Sequence, residues 1–318
     1  MIRLHPEQLR GKLQFINDYI GAHNAADGSR MDANANVTQK NIATMETELM
    51  KDFFVQINRQ LVSRKIAECF DQATADEYIR QIEAHEIYVH DETSKPYCVS
   101  VTLYPFLTHG LTKLGGESKA PEHLASFCGS FINLVFAISA QFAGAVATVE
   151  FLTYFDHFAR KDFGDDYLTT HADEVANHLQ QVVYSINQPA AARGYQSAFW
   201  NISVYDRYYF EAMFGDFVFP DFSKPNWDSV ARLQLFFLKW FNQERTRAVL
   251  TFPVVTAAML TDGGKCKDDV FASQMAHELA EGNSFFVYLS DNPDSLASCC
   301  RLRNAIEDRT FSYTLGAG

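Results

Sequence analysis

The sequence predicts an α/β fold in which long helices alternate with short strands. Three observations carry this. Apolar residues recur at helical spacing from Gln39 to about Phe70, at Ile42, Met45, Leu49, Phe53, Ile57 and Leu61, and similar runs follow later in the chain. Between such runs lie short segments rich in β-branched and aromatic residues, such as Ala198-Phe-Trp-Asn-Ile-Ser-Val-Tyr205. A hydrophobic content of 47%, with 27 Phe, supplies enough apolar material for a large core over 318 residues.

Taken in order, the first helix is followed by Thr74-Ala-Asp-Glu77, which reads as a capping box for a second helix carrying Tyr78, Ile79 and Ile82. Two strands are predicted next, Glu86-Ile-Tyr-Val-His90 and Tyr97-Cys-Val-Ser-Val-Thr-Leu103. The stretch from Leu124 to Leu152 holds no charge until Glu150 and is long enough for a bilayer. Asn133 and Gln141 interrupt it, Gly144 is positioned to break it, and no Lys/Arg asymmetry flanks it, so it reads as one or two buried helices. Further helices are predicted over 170–186, 227–247 and 268–281. Strands are predicted at 198–205, 248–255, 284–289 and 310–315, with Pro253 demanding an edge or bulge. The likeliest break in the chain is the Gly-, Ala-, Asp- and Asn-rich stretch from Asn24 to Asn36. It divides a short extension, residues 1–30, from a main domain over 31–318.

Charge and cysteine usage exclude several functions. A net charge of −12 with no run of Lys or Arg argues against binding polymeric nucleic acid, though one nucleotide in a pocket remains compatible. The N-terminus has no apolar signal core. The six cysteines, at 69, 98, 128, 266, 299 and 300, lack metal-ligand spacing, which fits a reducing, cytoplasmic setting and no bound metal. Cys69 and Cys128 read as buried small hydrophobes, Cys266 as a loop thiol beside two lysines. Cys98 lies on a predicted strand, on one face with Ser100. Cys299 and Cys300, preceded by Ser298 and followed by Arg301 and Arg303, form an electropositive thiol loop suited to reactivity or to an anionic ligand. A disulfide between neighbours is strained, so the pair is a poor structural staple.

Several stretches, taken together and in order, resemble the catalytic chain of anaerobic (class III, glycyl-radical) ribonucleotide reductase. They are Asp32-Ala-Asn-Ala-Asn-Val-Thr, His85-Glu-Ile-Tyr-Val-His-Asp91, Lys95-Pro-Tyr-Cys-Val-Ser100 and Asn187-Gln-Pro-Ala-Ala-Ala-Arg-Gly-Tyr-Gln-Ser-Ala-Phe199. Thr251-Phe-Pro253, Ser298-Cys-Cys-Arg-Leu-Arg303 and Ser312-Tyr-Thr-Leu-Gly-Ala-Gly318 complete the set.

The resemblance implies the first half of a ten-stranded α/β barrel with a finger loop. Cys299 or Cys300 would carry a thiyl radical at the loop tip and Cys98 would supply reducing hydrogen, while His90, Asp91, Ser100, Ser298 and Arg301 would line the ribonucleotide site. It further implies helices over 121–164 that build a homodimer interface and hold a deoxynucleotide effector, with Arg160 and Lys161 as phosphate contacts. The resemblance places the glycyl radical, made by an S-adenosylmethionine iron-sulfur activating enzyme, and a zinc site in a C-terminal segment absent from these residues. The expectation is therefore a split or truncated reductase completed by a second chain. The rivals are an inactive nucleotide-binding or assembly remnant of the same scaffold, or a fragment of another glycyl-radical enzyme.

Overall fold

A computed structural model describes residues 5–21, 42–89, 95–111, 117–188, 197–293, 295–298 and 302–305. The chain divides into two compact units, residues 1–96 with 193–197, and residues 97–192 with 198–318. The predicted break from Asn24 to Asn36 lies outside the described residues.

The first unit is helical: α1 (Pro6–Gly21), α2 (Ile42–Cys69) and α3 (Gln72–Glu83). Lys12 of α1 pairs with Asp52 of α2 at 2.7 Å. The capping-box expectation is corrected here. Asp71 caps α3 instead, its carboxylate accepting the Thr74 N–H at 2.7 Å, which leaves Thr74 inside the first turn. Among the described residues of the strand predicted at 86–90, none is in a strand. Residues 84–87 turn back on α3 through Glu86 N–H to Gln81 O at 2.9 Å, and the Arg80 guanidinium bridges Glu77 and Glu86. Cys69, expected buried, is exposed at the end of α2.

The second unit runs β1 (Val99–Ser100), α4 (Tyr104–His109), α5 (Leu124–Ser139), β2 (Val146–Ala147), α6 (Phe151–Phe163), α7 (Tyr167–Thr170) and α8 (Ala172–Asn187). It continues with β3 (Trp200–Tyr205), α9 (Arg207–Phe214), α10 (Trp227–Arg245), β4 (Val254–Asp262), β5 (Lys265–Cys266), α11 (Asp269–Ala280), β6 (Phe285–Ser290), β7 (Ser295–Ser298) and β8 (Leu302–Ala305). Strands β1, β2, β3, β4 and β6 form one parallel sheet in that order, with β5 folding back antiparallel on the end of β4. Each helical crossover delivers the next strand to the same growing edge, so the described sheet contains no reversal of strand order.

The run from Leu124 to Leu152 is two helices with a strand between them. The chain leaves α5 at Ala140, and β2 begins just beyond Gly144. Among the described residues no helix is long and apolar enough to cross a membrane. Its apolar surface is largely buried within the chain. Phe127, Phe131 and Phe151 close around Trp200 of β3, with Phe131 and Phe151 centroids 4.6 Å apart and Trp200 edge-on to Phe151. The strand predicted at 248–255 starts later, at Val254, just after Pro253, so the proline lies ahead of the ladder rather than within it.

Candidate functional site

Strand alternation divides the sheet into two faces. Val99, Val146, Trp200, Ile202, Val204, Val255, Ala257 and Met259 belong to the large apolar cluster with α5, α6, α8, α10 and α11. The opposite face carries a different row. Ser100 stands beside Ala147, which stands beside Asn201, and one row on Ser203 stands beside Thr256. All four polar side chains are buried. Asn201 Nδ2 donates to the Val254 carbonyl at 2.8 Å and to Thr256 Oγ1 at 3.3 Å. Burial, reinforced by the Glu150 carboxylate, pushes the Tyr205 phenol well above its ordinary value; Ser203 Oγ lies near enough to oppose this slightly, yet among the described residues it makes no hydrogen bond of acceptable geometry.

Cys98 precedes β1 by one residue, in the row of Ala145 and Phe199, with which it packs. It is 8% exposed and reduced, and its sulfur accepts the Ala145 N–H at 3.2 Å. β1 is only two residues long, so its ends need other anchors. Beyond it, Glu150 accepts from Thr102 Oγ1 at 2.8 Å and from the Leu103 N–H at 2.7 Å. Burial pushes the Glu150 carboxyl up to about 7, against the pull of those two donors. Burial likewise raises Asp156 to about 6, although Ser229 and Tyr167 donate to it.

Two quoted sequence motifs meet at Asn187. Its carboxamide oxygen accepts the Thr251 and Phe252 N–H groups, each at 3.0 Å, and its Nδ2 donates to the Phe252 carbonyl. The end of α8 is thereby fixed to the segment entering β4.

β7 and β8 pair antiparallel, Ser295 with Ala305 through Ser298 with Leu302. β7 contacts β3 and β4, and β8 contacts β1. Cys299, Cys300 and Arg301 fall between the two strands in sequence, outside the described residues, and of Ser298 only the backbone is described. His90 and Asp91, and the strand predicted at 310–315, also lie outside the described residues. Cys98 and Ser100 are thus together on the polar side of β1. Arg160 and Lys161 are elsewhere, in the last turn of α6, where Arg160 pairs with Asp165 at 2.7 Å and Lys161 is exposed. Cys128 is buried as expected, and Cys266 is half-buried on β5. Among the described residues no group of three His, Cys, Asp or Glu side chains is arranged to hold a metal.

Sequence reasoning missed Glu150, Asn201, Ser203 and Thr256. The alternation of Trp, Ile and Val with Asn, Ser and Tyr in 200–205 was the available signal for the middle pair.

The described fold is thus an α/β parallel sheet with a buried polar row on one face and a hairpin in contact with three of its strands. Residues 46–317 match the family model for anaerobic ribonucleoside-triphosphate reductase, and the chain belongs to that family. It is similar to the anaerobic ribonucleotide reductase of Thermotoga maritima with citrate in the active site, at 27% identity and a TM-score of 0.72, over 91% of this chain and 50% of that one. The form of that enzyme in complex with dATP and CTP is 25% identical, with a TM-score of 0.73 over 96% of this chain and 53% of that one. A further anaerobic ribonucleotide reductase structure gives 29% identity and a TM-score of 0.76, over 94% of this chain and 47% of that one. The chain therefore spans about half the length of these structures. No curated protein sequence matches it.

Proposed function

We propose that this chain supplies one half of the active site of an anaerobic ribonucleotide reductase, carrying both the thiol that becomes a radical and the thiol that reduces the substrate. The observation that supports it most is the contact of the β7–β8 hairpin, which brackets Cys299 and Cys300 in sequence, with β1, β3 and β4, the strands that carry Ser100, Asn201, Ser203 and Thr256, while Cys98 immediately precedes β1. On this reading a thiyl radical at Cys299 or Cys300 removes the 3′ hydrogen of a bound ribonucleotide. The 2′-hydroxyl then leaves as water, Cys98 gives its hydrogen atom to C2′, and the loop thiol returns the first hydrogen to C3′. The two-electron reduction is balanced by an external reductant, formate or a dithiol protein. The protein's part is to hold sugar and thiols in register and to exclude water. Ser100, Ser298, Arg301, His90 and Asp91 are the proposed substrate contacts.

A glycyl radical, generated by an S-adenosylmethionine iron-sulfur activating enzyme, supplies the radical to the loop. It and the zinc site are assigned to the part of the enzyme that lies outside these residues. β6 supports this assignment: Phe286, Val287 and Leu289 are each about half exposed, and among the described residues no strand pairs with its outer edge. The dATP and CTP of the solved relative support a deoxynucleotide effector and a ribonucleotide substrate here. The effector is assigned to the 121–164 helices at a homodimer interface. Arg160 already has a carboxylate partner, so a phosphate there must compete with Asp165.

Mixing the purified chain anaerobically with an activated C-terminal half of an anaerobic reductase tests the proposal. Deoxyribonucleotide formation that is lost in Cys98→Ala and in Cys299→Ala/Cys300→Ala is the expected result. A stable complex with no product would favour an inactive nucleotide-binding or assembly remnant. The absence of both complex and nucleotide binding would overturn the reductase reading.

A further inference from the structure

Cys98 is held by a bend that no cysteine motif marks. The Ala145 N–H donates to Cys98 Sγ at 3.2 Å, and the Ala145 carbonyl accepts the Val99 N–H at 2.9 Å. One residue earlier, the Gly144 N–H donates to the Tyr97 carbonyl. The segments on either side of the thiol are therefore tied to one bend, immediately before β2 begins its pairing with β1. There is no room for a side chain at position 144. A Cβ there would stand 2.7 Å from Cys98 Sγ and 2.6 Å from the Tyr97 carbonyl oxygen. The requirement for glycine is one of space, because Gly144 is not among the residues with positive φ.

We propose that Gly144 and Ala145 are positioning residues for the Cys98 thiol, a backbone cradle that fixes its rotamer and occupies a sulfur lone pair. Sulfur is a weak acceptor, so the contact is chiefly directional. With the Ala145 side of the sulfur engaged, the S–H is confined to the remaining directions, and a transfer that depends on sub-ångström alignment gains from that confinement. The inference rests on the reading of Cys98 as the reducing thiol. Its test needs neither nucleotide nor turnover.

Gly144→Ala is expected to drive the sulfur from its seat. Treating the purified chain with methyl methanethiosulfonate and following each cysteine by peptide mass spectrometry should show Cys98 modified about tenfold faster, the signature of easier local opening. Cys128, fully buried on α5, should keep its rate. An equal acceleration at both cysteines, or none at Cys98, overturns the proposal. A gentler variant gives a second measurement if Gly144→Ala does not fold. In Cys98→Ala, amide hydrogen exchange at Ala145 should quicken about tenfold while Val99, bonded to a carbonyl, keeps its protection. Unchanged exchange at Ala145, or an equal loss at both sites, counts against the cradle. Failure of these measurements leaves the complementation result standing, and failure of complementation leaves these standing.

Discussion

On one face of the parallel sheet, Val99, Val146, Trp200, Ile202, Val204, Val255, Ala257 and Met259 pack into a continuous apolar cluster with the surrounding helices. On the other, the same strands present Ser100, Asn201, Ser203 and Thr256, equally shut away from water. A parallel sheet buried on both sides ordinarily reads as unbroken apolar runs, because a buried polar group without full hydrogen bonding is costly. Here one face follows that rule throughout, while the other intersperses its polar groups with Ala147, Tyr205, Ala258 and Leu260, which join a second apolar cluster with α9. Asn201 recovers part of the cost through the Val254 carbonyl and Thr256, whereas the Ser203 hydroxyl recovers none by a direct hydrogen bond. The apolar face is built for stability. The polar face keeps groups that stability alone would replace, and it is the face that carries Cys98.

Substitutions should separate the two faces by size and sign. Trp200→Ala removes a fully buried ring from the apolar cluster and the Nε1 bond to Thr148 Oγ1, and should cost about 3–5 kcal/mol in urea unfolding. A loss below about 1 kcal/mol would mean that this face is not the main source of stability.

Glu150, where the segment after β1 meets the start of α6, gives the next largest effect, and it depends on pH. Its carboxyl rises from 4.5 to about 7 on folding, so the folded state binds that proton more tightly. Its contribution is complete below the unfolded value of 4.5 and is lost as pH climbs through about 7. The full span amounts to about 3 kcal/mol. Asp156 and Asp206 are raised by burial as well and add slope of the same sign. The decisive measurement is therefore Glu150→Gln against wild type at about pH 5 and about pH 8. The variant should show a flatter profile, and parallel profiles would place the titration elsewhere.

Asn201→Ala strands Thr256 and the Val254 carbonyl, and should cost about 1–3 kcal/mol. Ser203→Ala removes a buried hydroxyl that makes no hydrogen bond among the described residues, so thermal unfolding should move by less than about 1 kcal/mol, toward greater stability if it moves at all. A large loss from Ser203→Ala would show that its hydroxyl is satisfied after all, and would erase the contrast between the faces.

Much of this was legible in the chain. The helices over 42–69, 172–187, 227–245 and 269–280 and the strands at 200–205 and 285–290 follow from periodicity and β-propensity, with ends displaced by a few residues. β1 and β2 were harder, since two-residue strands leave almost no alternation to read. The segment 86–90 looked like a strand because its residues are β-branched and aromatic, yet Glu86 is drawn back to Arg80 and the Gln81 carbonyl, a local tie that propensity does not register. The expected capping box failed for a similar reason, because Asp71, three residues earlier, takes the Thr74 N–H first.

By itself, the sequence determined the α/β class, the resemblance to the family that the family match later bore out, and Cys98 as a thiol on the same side of the chain as Ser100. Those features are local, since they depend on spacing and on side-chain chemistry along a single segment. Only the tertiary structure decided that Cys98 rests on Gly144 and Ala145, that Glu150 anchors the far end of β1, and that Asn187 is bonded to Thr251 and Phe252. Each of these joins residues more than forty positions apart. Such contacts are set by strand register and crossover path, which no window of sequence contains.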